Sequence, residues 1–375
     1  MRALACSALV LVAGCNLVFG LDTVAVGDGD GGTASDGGVG DGGVGDGGGS
    51  LPVPTRVPTC DGVRALVAAA ADTSNDLDLI TRCPDDIGVT LNLGLRTYGA
   101  ASSITLSSPT AVAMGDVNGD GSNDVVVATA ISLQLYTGNG AGGFALLDGE
   151  TVAGIVDLEV GDLLGSDLAA DIGAVSAVGL RLYPGSLGGF GTGVPFQQAL
   201  ATRVALVDVD HDSRLDLAIA GSNDTVTMRY QSDGYAPTLS SEVGGGALAA
   251  GELVTGGGGE LAVAMVAAPT VAIASPSGGG LEAGTPALLT ATATAVAVGE
   301  LDGDGFGDVA VITAAMPRLE LFYNDGDRGL IPGPMLQLDD VPTDVVIADL
   351  DGDGHDDVAL TMPTLGEVWI YWGPF

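Results

Sequence analysis

The chain has 375 residues, 62 of them glycine, with aromatics at 4%, hydrophobic residues at 46% and a formal charge of −37. All 11 basic residues are arginines, which excludes chemistry that runs through a lysine, such as a P-loop, a Schiff base or a Ser-Lys dyad. Acidity on this scale repels phosphate backbones and anionic lipid surfaces, so nucleic acid is not an expected partner and cations are the natural counter-charge.

Residues 1–14 read as a signal peptide. Met1 and Arg2 give a short basic start, and the apolar stretch Leu4–Val12 is far shorter than the roughly 20 residues that span a bilayer. The run Leu11-Val12-Ala13-Gly14-Cys15 resembles the bacterial lipobox, which implies that Cys15 is acylated and becomes the mature N-terminus. Secretion with cleavage further on, near Gly20, is the alternative. Asn16, where an aspartate would signal inner-membrane retention by resemblance to enterobacterial sorting rules, implies an outer-membrane lipoprotein, on its periplasmic or its surface-exposed face. Residues 15–50 then form a tether, because Gly27–Ser50 is almost entirely glycine and aspartate and has nothing to bury. As a flexible coil it spans about 25 to 30 Å.

The segment 51–375 is repetitive. Asp72, Asp116, Asp162, Asp208, Glu252, Glu300 and Asp349 each follow a short Ala/Val-rich run and precede another apolar run, at intervals of 44 to 49 residues. A second mark keeps step with the first: a glycine-bearing turn with a bulky apolar residue at Tyr98, Phe144, Phe190, Tyr235, Leu281, Leu330 and Phe375. Within one unit the order is an apolar strand such as Ala111–Gly115, the acidic loop, strands such as Val125–Ala128 and Ser132–Tyr136, the glycine hairpin and a last strand. Four strands in such a period, repeated seven times, predict an all-β, seven-bladed β-propeller of four-stranded blades. The seventh unit stops at its hairpin mark, so the segment Leu51–Cys60 is expected to supply the missing outer strand and close the ring.

Four of the acidic loops carry oxygen side chains at positions 1, 3, 5 and 9 of a tight turn. They are Asp116, Asn118, Asp120 and Asp124; Asp208, Asp210, Asp212 and Asp216; Glu300, Asp302, Asp304 and Asp308; and Asp349, Asp351, Asp353 and Asp357. Such a set suits Ca²⁺, which takes six to eight hard oxygen ligands and could draw further ones from the position 7 carbonyl and water. Position 6 is Gly121, Gly305 and Gly354 in three loops but Ser213 in the fourth, which weakens that site; three to four calcium sites are expected. A metal-free Asx-rich turn is the simpler alternative. The loops headed by Asp72, Asp162 and Glu252 have lost the pattern and are expected to bind no metal.

These loops and the turn Gly138-Asn139-Gly140-Ala141-Gly142-Gly143-Phe144 resemble the FG-GAP/VCBS repeats, the propeller type also found in integrin α-subunits. The resemblance covers about residues 60–375 and implies calcium between the first two strands of a blade and ligand binding on the opposite face. Once Cys6 leaves with the signal and Cys15 is acylated, Cys60 and Cys83 remain, and a disulfide between them is expected outside the cytoplasm; two separate buried thiols are the alternative.

The only histidines, His211 and His355, fall inside the metal loops, and no G-x-S-x-G, H-E-x-x-H or C-x-x-C motif occurs. The expectation is therefore a monomeric, non-enzymatic binding or adhesion module for a protein or glycan, touching the membrane through its lipid only. A scaffold within an envelope complex is one alternative. A calcium-dependent polysaccharide lyase-like enzyme is another, with Arg82, Arg181, Arg203 and Arg318 as its candidate contacts to a uronate.

Overall fold

The computed structural model describes residues 53–375, apart from 75, 166–168, 178, 199–200, 237–240, 255–258, 278–279 and 325. The signal peptide, Cys15 and the tether lie outside the described residues. Among the described residues no helix is long and apolar enough to cross a membrane.

Seven antiparallel sheets form seven blades. Their innermost strands are Ala65–Ala69, Pro109–Gly115, Ile155–Gly161, Ala201–Val207, Ala247–Gly251, Ala293–Gly299 and Val345–Ala348. Each of these contacts the innermost strand of the blade before and after it, and the seventh contacts the first, so the ring is closed. Closure is made by the strand Thr55–Pro58, which pairs antiparallel with Glu367–Tyr371 and becomes the outer strand of the seventh blade.

The core is divided among the blade interfaces, with one buried apolar cluster at each of the seven. The second strand of the second blade, Asp124–Thr129, shows why its sequence reads as a continuous apolar run. Val125 and Val127 pack toward the first blade, while Val126 and Ala128 pack toward the third. A strand covered on both faces has no solvent side to mark with polar residues. The bulky residue of every glycine hairpin has one job as well. Tyr98, Phe144, Phe190, Tyr235, Leu281, Leu330 and Phe375 each pack into the interface with the preceding blade.

The four-stranded plan holds with local departures. Among the described residues the fourth blade shows three strands, Ala201–Val207, Asp216–Gly221 and Thr225–Arg229, with the outer position marked by a bridge between Val226 and Ser241. In the fifth blade the outer position is split between Gly280–Ala283 and Ala287–Leu288, both paired with Thr270–Ser277. The third blade inserts a small hairpin, Gly185–Ser186 with Gly189–Phe190, before its outer strand.

Candidate metal centres on the acidic loop face

The loops between first and second strands all open on one face of the ring, and each is fastened by a buried carboxylate at the start of the second strand. Asp124 accepts the backbone N–H groups of Val117, Asn118 and Gly138 at 3.0 to 3.1 Å. Asp216 accepts from Val209 and Gln231, Asp308 from Leu301 and Asn324, and Asp357 from Leu350 and Gly373. The same fastening occurs where the loop motif has decayed. Asp78 accepts from Ala71 and Asn92, Asp171 from Leu163, Leu164 and Gly185, and Glu260 from Leu253 and Val254. In six blades one carboxylate thus stitches the acidic loop to the end of the third strand, and in the fifth Glu260 holds the loop alone. The structural role of Asp78, Asp171 and Glu260 was not drawn from the sequence, although an acid stands at the head of every second strand. Burial pushes Asp124 and Asp216 up to about 6 and Glu260, Asp308 and Asp357 up to about 7, against the lowering effect of the donated N–H bonds.

The first five loop positions form a nested set of Asx turns. In the seventh blade Asp349 accepts the N–H groups of Gly352 (2.8 Å) and Gly354 (3.0 Å), Asp351 that of Asp353 (3.2 Å), and Asp353 that of His355 (3.0 Å). Glu300, Asp302 and Asp304 repeat this in the sixth. Curling so tightly requires a left-handed residue at position 6, supplied by Gly121, Gly305 and Gly354 with φ of +89°, +89° and +87°. In the fourth blade Ser213 adopts φ 66° and His211 φ 58°, a conformation that costs a residue with a Cβ roughly 1–2 kcal/mol.

The turns bring oxygens together. Carboxylate oxygens of Glu300, Asp302 and Asp304, of Asp349, Asp351 and Asp353, and of Asp208, Asp210 and Asp216 lie within 4.8 Å of one another in each set. Asp308 and Asp357 stand outside their sets, and so does Asp212, although it accepts the N–H of Arg214 as Asp304 and Asp353 accept those of Phe306 and His355. In the second blade the amide nitrogen of Asn118 donates to Asp120 (3.0 Å) and Asp124 (3.3 Å), while its oxygen accepts the N–H of Asp120. The donor sets are all oxygen and fit a hard divalent cation such as calcium. One atom points the same way: Asp208 Oδ1 is buried with no hydrogen-bond partner, a costly state for a carboxylate unless something positive meets it.

Of the other residues singled out from the sequence, Cys60 and Cys83 are disulfide-bonded with Cα atoms 6.1 Å apart, tying the closing strand to the first blade. His211 and His355 are exposed loop residues. Arg82 and Arg203 line one cavity. Arg181 lines a separate one, of about 560 Å³, and Arg318 lies against Gln337 and Met335.

Residues 300–360 match the family model of the FG-GAP-like repeat. No curated protein matches the chain in sequence. Among solved structures the chain is similar to BBS1N in complex with ARL6DN, soaked with lead, at a TM-score of 0.64 and 10% identity over 86% of this chain and 96% of that one. It is similar also to Sqt1 of Saccharomyces cerevisiae, at 0.56 and 10% over 88% and 100%, and to the β-propeller domain of Cps50 (Swd1) of Myceliophteria thermophila, at 0.57 and 11% over 86% and 98%. Likeness at such identities is one of fold. The chain is a seven-bladed β-propeller that carries an FG-GAP-like repeat in its sixth and seventh blades.

Proposed function

We propose that this protein is a calcium-stiffened binding module held at the bacterial outer membrane through an acylated Cys15, with its ligand, a protein or glycan, taken on the face opposite the acidic loops. Propellers with FG-GAP repeats are generally protein-interaction modules, which supports the binding role. The observation that carries the calcium reading is the convergence of three carboxylate sets, each within 4.8 Å, on turns of one repeating design. Bound Ca²⁺ would neutralise carboxylates that otherwise repel one another and fix the loops that fasten each blade. Asp116, Asn118, Asp120 and Asp124 complete the proposed set once the Asn118 amide turns its oxygen inward.

Calcium titration of the delipidated protein, followed by calorimetry, tests the metal. Three to four bound ions and a melting temperature that falls in EDTA are expected; no bound calcium together with an EDTA-indifferent melt rejects the reading. Metabolic labelling with an alkyne fatty acid tests the anchor, and Cys15→Ser should abolish the label.

A further inference from the structure

Three of the few basic residues of this acidic chain meet at the end of the central axis away from the acidic loops. Arg64 precedes the first innermost strand, Arg82 ends the strand beside it, and Arg203 lies in the innermost strand of the fourth blade. With Thr110, Asp157 and Asp344 they line a cavity of about 80 Å³. The two carboxylates there attract Arg203 and Arg82 electrostatically, leaving the mouth one positive charge in excess, and are held by backbone. Asp157 accepts the N–H of Val204 at 3.0 Å, and Asp344 accepts those of Leu66 and Val345 at 2.9 and 3.1 Å. Each fastens the innermost strand of its own blade to that of the next.

Arg82 is less well satisfied. Its Nη1 reaches the carbonyl of Pro109 at 3.3 Å, and its Nε is buried with no acceptor. Among the described residues it has no ion-pair partner within 4.0 Å. A guanidinium offers five donors and stays charged when buried, and Asp344 and Asp157 attract that of Arg82 without accepting a hydrogen bond from it, so an acceptor brought from outside would recover desolvation that the fold compensates only in part. Adjoining this cavity is an open depression of about 440 Å³ across the first three blades, which shares Arg64, Arg82 and Thr110 and is walled by Pro84, Pro109 and Ile155. No aromatic ring lines either space, so a sugar would find no stacking platform, whereas proline and aliphatic walls suit a peptide chain.

We infer that the axial mouth captures the C-terminal carboxylate of a peptide, paired by Arg82 with Arg64 and Arg203 beside it, and that the preceding residues lie in the adjoining depression across the first three blades. Arginine forks match a carboxylate geometrically. The inference rests on the binding-module reading and gives its ligand a chemical class.

The calcium-loaded protein, immobilised, is to be exposed to a hexapeptide library with free C-termini and to the same library amidated. Retention of the free-acid pool is expected, with amidated peptides weaker by at least about tenfold, and a similar loss in Arg82→Gln for the retained sequences. Circular dichroism shows whether that variant folds; should it not, Arg203→Gln and the exposed Arg64→Gln carry the same expectation. Equal binding of acids and amides, undiminished binding in the variants, or retention of trigalacturonate in place of peptides would each overturn the proposal. Calcium content and melting are read on the same samples. A failure of the mouth with calcium binding intact leaves the module reading standing, and a failure of calcium binding indicts the loops instead.

Discussion

Arg96, on the connection between the third and outer strands of the first blade, donates from Nε to Asp351 of the seventh blade at 2.5 Å and from Nη2 to Asp353 at 3.4 Å. Its guanidinium also lies 4.9 Å from the ring centre of Trp372. The contact crosses the seam where the ring closes, and it sets a protein cation against two carboxylates of a candidate calcium loop. On the calcium reading proposed above, Arg96 would compete with the ion for these carboxylates. Arg96→Gln should raise the calcium affinity of the seventh loop several-fold in isothermal titration. The metal-free melting temperature should fall by no more than a few degrees, since solvent-exposed ion pairs contribute little. Weaker calcium binding in the variant would show that the guanidinium does not occupy the cation's place.

The same seam is pinned covalently. Cys60 follows the closing strand and Cys83 directly follows the second strand of the first blade, 23 residues apart. Closing a loop of that size restricts the unfolded chain by about 3 kcal/mol. Cys60→Ser with Cys83→Ser should lower the unfolding free energy by about that amount in urea titration while leaving calcium stoichiometry unchanged. A stability equal to that of the parent would mean that the non-covalent pairing of Thr55–Pro58 with Glu367–Tyr371 already holds the closure at full strength.

Ser213 is the one non-glycine at position 6 of the four intact loops, and its φ of 66° is strained for a residue with a side chain. Ser213→Gly removes the strain but widens the unfolded ensemble, so the net gain should be about 1 kcal/mol or less. Tighter calcium binding at the fourth blade should accompany it. If thermal melts show the variant less stable, the Ser213 side chain contributes something that its backbone conformation does not reveal.

The periodic features of this fold were legible because each has a single physical cause repeated seven times. Phe144 and its counterparts recur because every blade needs one bulky residue to fill the interface behind it. Val125–Ala128 reads as unbroken apolar sequence because both faces are covered. That only a bridge between Val226 and Ser241 marks the outer position of the fourth blade among the described residues was not legible from the period alone, which counts loops and hairpins but not the strand after them. Nor was the axial mouth, since Arg64 and Arg82 are far in sequence from Arg203 and only closure of the ring brings them together. The fastening carboxylates are half visible in the sequence: Asp124 and its kin stand at a metal-ligand spacing, and their hold on backbone N–H groups emerges only from the way the third strand returns past the loop.

Glu159 lies on the innermost strand of the third blade, 2% exposed, with Oε1 lacking a partner. Burial raises its pKa well above the ordinary 4.5, and the nearby charge of Asp157 pushes in the same direction. An acid whose pKa is higher in the folded than in the unfolded state binds more protons when folded, so the stability it supports is present at low pH and is lost as pH rises through the interval between the two values. Glu260, Asp308 and Asp357, raised to about 7 by burial, act in the same sense between about pH 4 and 7. The metal-free protein should therefore melt at a higher temperature at pH 5 than at pH 7.5. Glu159→Gln keeps the shape and removes one titration, so it should raise the melting temperature at pH 7.5 by several degrees and change it little at pH 4.5. An equal gain at both pH values would mean that the amide stabilises by its own packing or hydrogen bonds and that the titration of Glu159 does not set the pH dependence.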